Sequence, residues 1–251
     1  MEKSDPTRTP RAVAPTTGRD VREDPGGSAT RVAARTRRTG GSGAPEDADG
    51  GSGFYLFGVV RGVGRRGAQL VRGLGPEFLR VPYRDLTALA RHAAFHVPPL
   101  ERADLVAHQR AVEHVMRRGT ILPAPPGVVF RGRRPLLRFL EDQYLALEEG
   151  LSFLEGHWEL RLHIGPAEPD TEDDELERLA TQTYAELRRF ARAAVPFART
   201  ESLLLSAAFL VERAGWIEFV ERAEDLGAAH AGLALDVTGP WPPYDFVRLV
   251  F

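Results

Sequence analysis

Three stretches of this 251-residue sequence combine residue types with a spacing that suits chemistry. GVGRRG sets Gly62, Gly64 and Gly67 in the pattern of a dinucleotide-binding fingerprint, after the apolar run FYLFGVV and with Asp85 near the distance of a ribose-binding acid. That fingerprint rests a pyrophosphate on the N-terminus of a long crossover helix. Here the candidate helix AQLVR meets GLGP almost at once. A helix so short supplies little dipole and no parallel crossover, so the glycines read as a loop and no nucleotide cofactor is expected.

Histidines form the second group. His92 and His96 stand four apart on one expected helix, and His108 and His114 lie on the next. His157 and His163 share one face of an expected strand. A zinc site needs three or four converging ligands, and a hydrolytic one adds an acid placed as in HExxH, which the chain lacks. These side chains read as surface histidines on arginine-rich elements, and no metal is expected. The chain also lacks a GxSxG elbow, a P-loop and any cysteine. Carboxylates in EPDTEDDELE (168–177) suit a helix start, where they complement the dipole. No catalytic residue is assigned, and the chain does not read as an enzyme.

The third stretch is TGPWPPYDF. Pro240, Pro242 and Pro243 cannot donate to a sheet ladder, while Trp241, Tyr244 and Phe246 carry large apolar areas that favour burial. We expect an aromatic plug that stops the last strand and covers the end of its sheet. A proline-rich ligand fits the same residues less well, because such ligands sit in flexible tails.

Elements must position these stretches. Residues 1–53 show no apolar period and end in RRTGGSGAPEDADGGSG, which predicts a disordered tail. FYLFGVV (54–60) reads as a buried strand, Glu77–Val81 as a second, and Tyr83 or Arg84 to about His96 as a helix. Leu105, Val106, Val112, Val115 and Met116 recur at helical spacing before Gly119, and TILPAPPGVVF (120–130) is an interrupted extended segment. In residues 133–156, Leu136, Leu137, Leu140, Tyr144, Leu147, Leu151 and Leu154 mark one long amphipathic helix. From His157 the order becomes strand WELRLHI, helix DDELERLATQTYAELRRFARAA, one or two strands in ARTESLLLSAAFLVER, helix GWIEFVERAEDLGAAH and strand AGLALDV. That is the β-α-β-β-α-β order of a ferredoxin-like sandwich. The fold class is thus α+β, with a tail at 1–53, an N-terminal α+β domain at 54–156 and a C-terminal ferredoxin-like domain at 157–251.

Composition narrows the function. A hydrophobic fraction of 43 % supports real cores, and a net charge of -2 gives no global pull toward nucleic acid or an anionic membrane. No apolar run approaches the roughly 20 residues that span a bilayer. The lack of cysteine fits a reducing cytoplasm.

Taken in order, FYLFGVV, LVAHQRAVEHVM, TILPAPPGVVF, a helix closing in LEG-x-WELRLHI, LLLSAAFLVER and LALDVTGPWPPYDFV resemble the gas vesicle protein GvpL/GvpF family over almost all of residues 54–247. The resemblance implies two α+β domains, the second a modified ferredoxin-like fold. It also implies a cytoplasmic, gas-vesicle-associated accessory or minor structural protein. The implied partners are the hydrophobic shell subunit GvpA and other gas vesicle accessory proteins, with a role in vesicle nucleation and assembly. Pro125-Pro126 depart from the Arg-Phe-like pair common in the family, and the acidic link 166–175 is short. Candidate partner-binding residues are Leu122, Val128, Val129 and Phe130 in the first apolar segment, and Trp241, Tyr244 and Phe246 in the second. The alternative reading is a ferredoxin-like small-molecule-binding regulatory module.

Overall fold

The computed structural model describes residues 52–250 apart from 63, 96–99, 169–173, 199 and 201. The expected disordered tail lies outside the described residues except for Ser52 and Gly53, which open the first strand.

Strand β1 (Ser52–Arg61) is the centre of the first sheet. Its alternation changes phase at a bulge between Leu56 and Gly58, so Leu56 and Val59 face one side while Tyr55, Phe57 and Val60 face the other. Glycine is required at the bulge. A Cβ on Gly58 would stand 2.4 Å from the Leu122 carbonyl oxygen of the neighbouring strand.

A seven-residue helix, α1 (Gly64–Leu70), follows and leads into an antiparallel hairpin of β2 (Phe78–Tyr83) and β3 (Leu86–Ala94). Residues 86–94 were expected to be helical, and this expectation fails. The segment is rich in Leu and Ala, but Arg84, at φ 50°, turns the chain so that Tyr83 pairs with Leu86. Pairing with both β1 and β2 then buries Leu86, Thr87, Ala88, Leu89 and Ala90. Tertiary burial on both faces overrides a helix preference worth tenths of a kcal/mol per residue.

Helix α2 (Arg102–Met116) packs Ala111, Val112, Val115 and Met116 on the Tyr55 face of the sheet. Strands β4 (Ile121–Pro123) and β5 (Val129–Phe130) pair antiparallel with separate parts of β1. The expected long helix of 133–156 is two helices, α3 (Arg133–Asp142) and α4 (Tyr144–Leu154), broken where Gln143 takes φ -101° and ψ 9°. The break lets both helices follow the sheet. Leu136, Phe139 and Leu140 of the first and Leu147, Leu151 and Leu154 of the second pack on its Leu56 face.

The second sheet is formed by β6 (His157–Pro166), β7 (Ala191–Pro196), β8 (Leu205–Glu212) and β9 (Leu233–Trp241), in the order β7-β8-β6-β9 with all neighbours antiparallel. Helices α5 (Asp174–Leu187) and α6 (Trp216–Ala229) join with Leu160, Leu162, Ile164, Phe209 and Val211 in a common core on one face. This is the ferredoxin-like arrangement. The α5 expectation ran too long: the helix stops at Leu187, a 3-10 turn covers Arg188–Phe190, and Ala191 begins an edge strand. On the opposite face of this sheet, Leu210 and Ala193 join the core beneath α3 and α4.

Candidate functional site

The first candidate segment is anchored at both ends on β1. Ala124 N–H donates to the Phe57 carbonyl at 2.9 Å, and Leu56 N–H donates to the Val128 carbonyl at 2.9 Å. Between those points Pro125 and Pro126 are exposed and the backbone leaves the sheet. What holds the detour is His108. Its Nε2 lies 3.0 Å from the Ala124 carbonyl and its Nδ1 lies 2.8 Å from the Tyr55 hydroxyl. A carbonyl only accepts, so Nε2 carries the proton, Nδ1 accepts and Tyr55 donates. The same hydroxyl accepts from Gly127 N–H at 3.3 Å.

His108 is 1 % exposed, and burial lowers its pKa to about 4, which keeps the ring neutral at physiological pH. The expectation of a surface histidine is therefore wrong for this residue. The sequence signal existed, since 108, 111, 112, 115 and 116 lie on one apolar helical face. His92 sits on β3, not on a helix, and His96 is outside the described residues. His114 Nε2 lies 2.8 Å from the Arg72 carbonyl, His157 Nδ1 lies 2.7 Å from the Glu155 carbonyl, and His163 Nδ1 lies 2.7 Å from the Ser206 hydroxyl. Among the described residues no three His, Asp or Glu side chains converge as metal ligands. Gly62 precedes α1, and Gly64 and Gly67 lie within it, so these glycines belong to a short helix and not to the expected loop; α1 joins β1 to β2, which both pair antiparallel with the intervening β3 and so run parallel without being neighbours.

The second candidate segment does not stop β9 where expected. The strand runs on through Pro240 to Trp241, which pairs with Glu159 after a register shift at Gly239, φ 126°, and a cis Gly239–Pro240 peptide. A bulge places the proline where no ladder donor is needed. After it, Pro242 and Pro243 are buried and Tyr244–Phe246 form a 3-10 turn. This turn lies over more than the sheet end. Tyr244 joins the core beneath α2, 6.4 Å from the His108 ring centre, whereas Phe246, with Val247 and Leu249, joins the core beneath α3 and α4. Burial raises the Tyr244 pKa, and its hydroxyl has no hydrogen-bond partner among the described residues.

A charged cluster fixes the turn to the sheet. Glu159 is fully buried; it accepts from Arg161 Nε at 2.8 Å and from Asp245 N–H at 3.1 Å, and Arg161 Nη2 donates to Asp245 at 2.8 Å. Burial, helped by the Asp245 carboxylate, outweighs the guanidinium and pushes the Glu159 carboxyl up to about 8.

The seven candidate contact residues therefore share their apolar area with the interior. Leu122 is 2 % exposed and belongs to the core. Val128, Val129, Phe130, Trp241, Tyr244 and Phe246 are half-buried. Val129 and Tyr244 pack on the α2 side, and Val128, Phe130 and Phe246 on the α3 side, so His108 and the first sheet connect both segments. More exposed apolar side chains lie elsewhere, on Phe95, Leu105, Val106, Leu145, Phe190 and Ile217. The sequence marks Ile217 as one of these, an apolar residue out of phase with the buried stripe of its helix.

Comparisons with known proteins follow this architecture. The sequence profile described as gas vesicle synthesis protein GvpL/GvpF matches residues 53–177 and 164–248. Gas vesicle protein F1 of Halobacterium salinarum is 28 % identical over 67 % of this chain and 80 % of its own length. Gas vesicle protein L of a Streptomyces species is 25 % identical over 78 % of this chain and 92 % of its own length. The crystal structure of GvpF from an Anabaena species superposes with a TM-score of 0.67 at 20 % identity, over 80 % of this chain and 98 % of that one. No helix among the described residues is long and apolar enough to cross a membrane.

Proposed function

As the chain belongs to the gas vesicle synthesis protein GvpL/GvpF family, we propose that it is a non-enzymatic accessory protein that binds the shell subunit GvpA and assists vesicle nucleation and assembly in the cytoplasm. The match of the profile through nearly all of the described residues carries this reading. A subunit with an apolar face fit to line a gas compartment aggregates unless that face is covered before assembly, and the covering partner needs apolar surface of its own. Support for the surface comes from β5. Its two residues form a short edge, half-buried, next to Phe95, which is exposed with Arg131 stacked 4.3 Å above its ring. Pro125 and Pro126 keep the adjoining backbone from pairing edge to edge. Val128, Val129 and Phe130 form the contact in this proposal, Leu122 supports them from the core, and the aromatic turn of Trp241, Tyr244 and Phe246 is the second surface.

The experiment is a pull-down of unassembled, soluble GvpA with wild-type protein, Val129→Asp and Trp241→Ser, each shown by its melting transition to be folded. Retention by the wild type and loss with either folded variant supports the reading. Failure of the wild type to retain the subunit removes it.

A further inference from the structure

The charge of the chain is divided along its length. Residues 54–156 hold 15 arginines against 10 acids, and residues 157–251 hold 9 arginines against 17 acids. The near-neutral total hides two halves of opposite sign. Two helix faces concentrate the division. On α2, Arg102, Val106 and Arg110 follow at intervals of four and are exposed, with Leu105 beside them; Leu105 and Val106 are 42 % and 39 % exposed. On α6, Phe219, Ala223 and Leu226 point to the core, and the opposite face exposes Ile217, 54 % accessible, among Glu218, Glu221, Glu224 and Asp225. None of these arginines or acids makes an ion pair within the described part of the chain. The α2 face is an apolar centre flanked by arginines, with Glu101 at its N-terminal edge, and the α6 face is one flanked by carboxylates, with Arg222 beside them paired to Glu186, so the prevailing signs are opposite.

From this complementarity we infer that the α2 face of one copy docks on the α6 face of a second copy. The occupant of each face is thus the chain itself. Arginines beside Leu105 and Val106 meet the carboxylates beside Ile217, and the apolar centres close on each other. The contact is heterologous, since different patches meet, so each copy that joins presents an unused face of each sign. Complementary charges speed encounter and fix orientation, and the modest apolar centres make the contact weak and salt-dependent. This inference does not rest on the shell-subunit reading, because it involves neither candidate segment.

Sedimentation velocity on the full-length protein tests it. In low-salt buffer the wild type should show average mass rising with concentration, and about 0.5 M salt should abolish the rise. Arg102→Glu/Arg110→Glu makes both faces acidic, and Glu221→Arg/Glu224→Arg cancels the net charge of the α6 face, so each variant alone should associate at least about tenfold more weakly. An equimolar mixture of the two variants, which brings an unaltered α6 face together with an unaltered α2 face, should form a heterodimer. Melting transitions establish that these surface variants are folded. A wild type that stays monomeric at low salt overturns the inference. So does association that survives either reversal, or a mixture that gains nothing over its components.

Discussion

The hydroxyl of Tyr55, on the central strand, lies 2.8 Å from Nδ1 of His108, whose other nitrogen lies 3.0 Å from the Ala124 carbonyl. Three elements distant in sequence are thereby joined by one neutral imidazole. The shape of the LPAPPGVVF segment depends on it, because the backbone between Ala124 and Val128 departs from the sheet. His108→Ala should therefore cost about 2–4 kcal/mol, from a cavity together with a buried hydroxyl and a carbonyl left unpaired. Chemical denaturation measures it.

The same ring sets a pH dependence. His108 titrates near 4 in the folded chain and near its ordinary 6.5 when unfolded, so between those values the unfolded state binds the extra proton. Its contribution is complete above pH 6.5 and is lost as pH falls toward 4, about 3 kcal/mol in all. His108→Gln should show a flatter decline than wild type over that window. An identical decline would place the titration elsewhere.

Glu159 acts in the opposite direction. Its folded pKa near 8 exceeds the ordinary 4.5, so the folded state holds the proton longer. That stabilisation is present below about pH 4.5 and is lost as pH rises through 8. Glu159→Gln keeps a neutral group against Arg161 and Asp245 N–H. The difference in unfolding free energy between the variant and wild type should grow in the variant's favour from pH 5 to 8.

Tyr244 offers a sharper contrast. Its hydroxyl is buried without a partner among the described residues, whereas that of Tyr55 has two. Tyr244→Phe should be neutral or stabilising by up to about 1 kcal/mol, and Tyr55→Phe should destabilise by about 1–3 kcal/mol, since it strands both a buried nitrogen and a backbone N–H. Equal effects would contradict these assignments.

Packing at the bulge is equally specific. A methyl group on Gly58 would meet the Leu122 oxygen at 2.4 Å and Ile121 side-chain atoms at 2.9 Å, in a region where backbone cannot yield without breaking the β1–β4 pairing. Gly58→Ala should lower stability by roughly 1–3 kcal/mol, read as a shift in the denaturation midpoint.

The second half of the chain was more legible than the first, and the reason is periodic. Leu160, Leu162 and Ile164 alternate, and Phe219, Ala223 and Leu226 keep helical spacing, so pattern alone yields the strand and helix order there. Leu86–Ala90 carry no period, because a central strand covered on both faces buries every residue. Ala191–Pro196 continues a helix-forming composition past Leu187 and pairs with β8 only through contacts 11 or more residues away. In the candidate site, aromatic and proline clustering identified both segments, yet their depth was hidden. No local feature indicates that Tyr244 passes beneath α2 or that Leu122 is wholly interior. His108 reads as a surface residue when grouped with the other histidines, whereas its place on the apolar face of α2 with Ala111, Val112 and Val115 marks it as interior.

In the function proposed above, this chain covers the apolar face of a gas vesicle shell subunit before assembly. Light scattering of GvpA diluted from denaturant, with increasing amounts of the full-length protein, tests it most directly. Scattering should fall in proportion to added protein, GvpA and this chain should then co-elute as one complex, and folded Val129→Asp should be much less effective. Aggregation at an unchanged rate in the presence of excess wild-type protein would contradict it.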